Sequence, residues 1–66
     1  MFRVIRVSDS TETTYRDCAT YNEARAALDR LAHAFRFTGV VWRDSDHLQV
    51  GLRNFTLADS YRIVRI

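Results

Sequence analysis

An α+β two-layer sandwich is the fold the sequence predicts: β-β-α-β-β-β, a mainly antiparallel sheet with one amphipathic helix on one face. Three observations carry this expectation. One stretch, Thr20–Gly39, combines helical periodicity with both start and stop signals. The segments around it are short, rich in Val, Ile, Thr and aromatics, and separated by turn clusters. The first and last of them are apolar on both faces, as interior strands are.

The elements follow in order. Met1–Val7 reads as a strand, with Phe2 and Val4 on one face and Ile5 and Val7 on the other. Ser8–Thr11 is a turn cluster of Ser, Asp and Thr. Glu12–Cys18 is β-prone but polar, which suits an edge strand, where charge discourages further pairing. Thr20 and Glu23 have the spacing of a capping box, so Thr20 is the expected N-cap. Ala24, Leu28, Leu31 and Phe35 then form one apolar face, flanked by Ala27 and Ala32. Glu23 in the first turn and His33 and Arg36 near the last suit the helix dipole. Arg25 and Asp29 stand one turn apart on the solvent side, and Gly39 is the expected C′ residue.

Val40–Arg43 is the next strand, followed by an Asp44–Asp46 turn. His47–Arg53 alternates, with Leu48, Val50 and Leu52 on a buried face and His47, Gln49 and Arg53 on a wet one. Asn54–Asp59 reads as a connection whose Phe55 and Leu57 cover the core rim, and Ser60–Ile66 as the last strand. A single helix covers one face of such a sheet. The other meets water or a partner.

The 66 residues form one expected domain, 1–66, with a small core and no room for a large enclosed active-site cavity. The composition, 47% apolar and 27% charged, is that of a globular domain. No apolar run approaches the ~18 residues of a membrane span, and Met1–Ser10 lacks the apolar core of a secretory signal. The expected location is cytoplasmic, in keeping with a lone cysteine that forms no internal disulfide. Cys18, just ahead of the helix, is expected as a small half-buried side chain, a reactive thiol being the alternative.

No enzymatic activity, metal or cofactor is expected. His33, His47 and Cys18 have no zinc-ligand spacing. Asp44 and Asp46 read as turn formers that bond local backbone. Nothing marks a nucleophile with its base, and two separated glycines cannot make a phosphate loop. The Asn54–Thr56 sequon carries no meaning without a secretory context.

The basic charge is more informative. All 10 basic residues are Arg, through GC-rich coding or selection for the planar guanidinium. Basic charge gathers in the two terminal strands and acidic charge around the turns. If those strands are neighbours, Arg3, Arg6, Arg62 and Arg65 form a stripe, split between the sheet faces. Arg43, Arg53 and Tyr61 complete the candidate partner-binding set. Trp42 would join Tyr61 on the open face, or lie in the core if it keeps phase with Val40.

The leading expectation is a non-enzymatic protein-binding module with a host or cognate protein as partner. By analogy of size and architecture, it would act as an inhibitor of the phage or mobile-element kind (anti-defence, anti-CRISPR-like) that occludes a partner surface. The exposed Glu12–Cys18 edge would also accept a partner strand. The alternative is an arginine-dependent nucleic-acid-binding regulator. It is weakened by a net charge of only +2 and the absence of an aromatic-glycine RNA motif. No membrane partner is expected, and a homodimer closing over the open face is a further option.

Overall fold

The computed structural model of the protein describes the backbone of residues 1–53 and 56–66, and the side chains of residues 1–51 and 59–66. Its elements are β1 (Phe2–Ser8), β2 (Thr11–Cys18), α1 (Tyr21–Ala34), β3 (Val40–Asp44), β4 (His47–Arg53) and β5 (Thr56–Arg65). The strands form one sheet of order β2-β1-β5-β4-β3, with every neighbouring pair antiparallel. The expected α+β sandwich with one helix packed on the sheet is the observed fold.

The placement of the strands follows from their side chains. β1 and β5, apolar on both faces, sit inside the sheet and pair along seven residues, from Phe2–Arg65 to Ser8–Asp59. β2, whose residues Thr11–Asp17 are all exposed, forms one edge, and β3 forms the other. The helix connects these two edges and so crosses the sheet on the way. Along that path it lays Ala24, Ala27, Leu28 and Leu31 on Val4, Cys18, Leu48, Val50 and Ile63. Leu28, Leu48, Val4 and Val50 are fully enclosed. Each such side chain contributes about 1.5–3 kcal/mol of transfer free energy. Phe2 closes the core at one end, edge-to-face with Tyr21 at 5.8 Å.

Local chemistry sets the boundaries. The Thr20 Oγ1 accepts the Glu23 N–H at 3.2 Å, as the capping-box spacing requires. The Glu23 carboxylate reaches one residue further back than expected, to the Ala19 N–H at 3.4 Å. The helix ends at Ala34, short of the expected Gly39, because Phe35 caps it. The Phe35 carbonyl then accepts from the Thr38 N–H, the Thr38 hydroxyl and the Gly39 N–H, each at 3.0 Å, which closes a turn instead of another helical round. Gly39 at φ 128° sends the chain into β3, and Gly51 at φ 74° donates its N–H to the Gly39 carbonyl at 3.0 Å.

The expected connection at Asn54–Asp59 is another correction. β5 begins at Thr56, pairing Arg53 with Thr56 and Leu52 with Leu57, so most of that segment is strand. Phe55 lies outside the described residues, as does the Leu57 side chain.

The β1–β2 turn stores strain that a substitution relieves. Asp9 and Ser10 both have positive φ, 50° and 66°, the geometry of a two-residue primed hairpin turn. Asp tolerates this region; Ser does so at a cost, and Gly at none. Ser10→Gly is expected to raise stability by about 1 kcal/mol, read as a higher urea midpoint with unchanged slope.

Candidate protein-binding face

Strand alternation and register divide the side chains between two faces. Val4 opposite Ile63, and Leu48 opposite Tyr61, define the helix side. The open side therefore carries Arg3, Ile5 and Val7 of β1, Ser60, Arg62 and Val64 of β5, and His47 and Gln49 of β4. Val41 opposes Gln49 from β3, and Asp17 and Thr14 oppose Arg3 and Ile5 from β2.

Ile5, Val7 and Val64 form a half-buried aliphatic strip where β1 and β5 meet on this face, which the helix does not cover; Val41 lies apart on the edge strand β3, beyond Ser60 and Gln49. Arginines share the face with the strip. Arg3 grips Asp17 through two hydrogen bonds, of 2.7 and 3.1 Å. Arg62 reaches diagonally across β1 to Glu12 at 3.5 Å. Arg43 donates to the Gln49 side-chain oxygen. The hydrogen bond from Arg3, with its charge, holds the Asp17 carboxyl below the usual range. These pairs are exposed and add little to stability. They tie the Arg3 and Arg62 guanidiniums to β2, beside the strip.

The arginine stripe expected from the sequence is thus split. Arg3, Arg43 and Arg62 stand on the open face. Arg6 stands on the helix side, bonded to Asp59 at 3.1 Å, and the exposed Arg65 shares that side opposite Phe2. The Arg53 backbone pairs with Thr56 in the β4–β5 ladder, and its side chain lies outside those described.

Tyr61 requires a correction. It is 5% exposed, on the helix side, edge-to-face with Tyr15 at 5.4 Å, and presents nothing to the open face. Trp42 also lies on the helix side. It keeps phase with Val40, opposes Leu48, and carries the Arg25 guanidinium 4.0 Å above its ring. Arg25 bonds Asp29 at the same time, as their spacing suggests. The aliphatic strip was the feature that residue-type reasoning missed. Its signal was present in the apolar residues on both faces of β1 and β5.

Burial pushes the Tyr61 hydroxyl above its ordinary value of 10.0; the Arg6 charge partly opposes this, and Asp59 reinforces it. Because the folded value is the raised one, this contribution to stability is complete below pH 10 and is lost as pH rises through the folded value. An ultraviolet phenolate titration is expected to show a component above pH 10 that Tyr61→Phe removes.

The remaining chemistry is sparse. Cys18 is buried at the end of β2, as a small core side chain. The Asp44 carboxylate accepts the Asp46 N–H at 3.0 Å and shapes the β3–β4 turn. Among the described residues, no three His, Cys, Asp or Glu side chains converge as metal ligands, and no helix is long and apolar enough to cross a membrane. No family model, curated protein or solved structure matches the chain.

Proposed function

We propose that the chain is a small non-enzymatic protein-binding module whose open sheet face seats against, and so occludes, a surface of a protein partner. The observation that carries this reading is the aliphatic strip Ile5, Val7 and Val64, with Arg3 and Arg62 beside it and Val41 and Arg43 further out on the edge strand β3. An apolar centre with a polar, arginine-bearing rim is the usual anatomy of a protein interface. A chain of 66 residues does not enclose a substrate, so it acts by occupying a surface, as small phage and mobile-element inhibitors do.

The nucleic-acid alternative draws less support. Among the described residues, the open face has no Phe, Tyr or Trp ring on which a base would stack, and two of its guanidiniums are paired with carboxylates. Capture from lysate with tagged protein, with and without nuclease and at two salt concentrations, separates the readings. The protein-binding reading expects a stoichiometric protein that survives both treatments. Capture abolished by nuclease or by modest salt would replace it with nucleic-acid binding.

A further inference from the structure

A second surface lies on the other side of the molecule, where a groove of about 530 Å³ runs between β2 and α1. Arg16, Asp17 and Cys18 of β2 and Asn22, Glu23, Ala26 and Arg30 of α1 line it. A bulge in β2 builds it. Val4 pairs with Arg16 and Ile5 with Thr14, so Tyr15 is the extra residue. Arg16 opposes the core residue Val4 and Tyr15 packs on Tyr61, so consecutive side chains turn to the helix side.

The groove lining carries two guanidiniums, Arg16 and Arg30, and two carboxylates, Asp17 and Glu23. Its carboxylates are engaged, Asp17 by Arg3 on the open face and Glu23 by the Ala19 N–H. Arg16 and Arg30 have no carboxylate partner among the described residues, whereas Arg3, Arg6, Arg25 and Arg62 each have one. The groove lies along a sheet edge. β2 has β1 on one side only, so alternate N–H and C=O groups of Thr11–Cys18 face outward. The bulge opposes flat stacking of sheets, yet Thr11–Thr14 keep regular register with β1.

We infer that this edge docks one short, extended, acidic segment of a protein partner, its backbone added alongside β2 and a carboxylate seated between Arg16 and Arg30. Main-chain hydrogen bonds hold the segment, and planar guanidiniums select the carboxylate. Arg16 and Arg30, which would hold the carboxylate, are not among the open-face residues, so the site stands whether or not that face has a partner.

The test is an NMR titration with a capped heptapeptide of alternating Thr and Glu, its Gln counterpart, and inorganic phosphate. The acidic peptide is expected to give saturable shifts in the Arg16 and Arg30 side-chain Nε–H signals and in the Thr11–Cys18 amides. The Gln peptide, and the acidic peptide on an Arg16→Gln/Arg30→Gln variant, are expected to bind at least about 10-fold more weakly. Both arginines line an open groove, so the variant folds, which its thermal midpoint verifies. An Ile5→Thr/Val64→Thr variant keeps full affinity for the peptide. Unchanged affinity in the arginine variant would overturn the proposal, as would no saturable shift. Equal guanidinium shifts from phosphate, with the β2 amides unmoved by peptide, would reduce the groove to a simple oxyanion site.

Discussion

Leu28→Ala is expected to cost about 2–5 kcal/mol of stability. Leu28 is fully buried where the helix meets the sheet, among Val4, Leu48 and Val50. Removing its branched end forfeits transfer free energy and leaves a cavity that a short helix pinned at both ends by connections to edge strands cannot collapse. A domain of this length has a total stability of about 3–10 kcal/mol, so the variant is substantially unfolded at 37 °C. Val41→Ala, the same kind of truncation on the half-buried open face, is expected to cost about 1 kcal/mol. Urea unfolding followed by circular dichroism measures both. Near-equal losses would mean that the core does not lie between helix and sheet.

The double substitution Ile5→Thr/Val64→Thr is expected to weaken partner binding by about 10–100-fold, or about 1.4–2.8 kcal/mol. Thr keeps the β-branched shape and strand preference, so the sheet is retained while the centre of the strip becomes polar. No charge is altered, so binding driven by phosphate contacts would be unaffected. Arg62→Ala beside the strip, exposed and already paired with Glu12, is expected to cost less than about 1 kcal/mol. Titration of each variant with the captured partner measures these losses. If Arg62→Ala weakened binding more than the double substitution, charge would replace the aliphatic strip as the source of affinity.

Much of the architecture was legible in the sequence because local signals agreed with the global fold. Apolar residues on both faces placed β1 and β5 inside the sheet, polar Thr11–Asp17 placed β2 at an edge, and Thr20 with Glu23 marked the helix start. What failed depended on contacts that residue patterns do not encode. The helix stops early through Thr38 folding back on the Phe35 carbonyl. The start of β5 is fixed by pairing with β4, although Asn54–Asp59 resembles a loop.

The candidate site was less legible, for the same reason. In a strand apolar on both faces, Tyr61 and Ile63 or Arg62 and Val64 are equally plausible inward pairs, and only the Leu48–Tyr61 register decides between them. The arginines drew notice by their number, while the aliphatic strip that gives the open face its character needed the two ends of the chain, β1 and β5, to be brought together. The β2 bulge, which aims Tyr15 and Arg16 to one side, leaves no mark in residue type.

The central claim is that the open sheet face carries the partner, and methyl NMR of the complex tests it most directly. With Ile and Val methyls labelled, partner binding is predicted to shift Ile5, Val7, Val41 and Val64 strongly and to leave buried Val4 and Val50 nearly unmoved. Unshifted open-face methyls in a saturated complex, with changes confined to the helix side around Trp42 and Phe37, would contradict it.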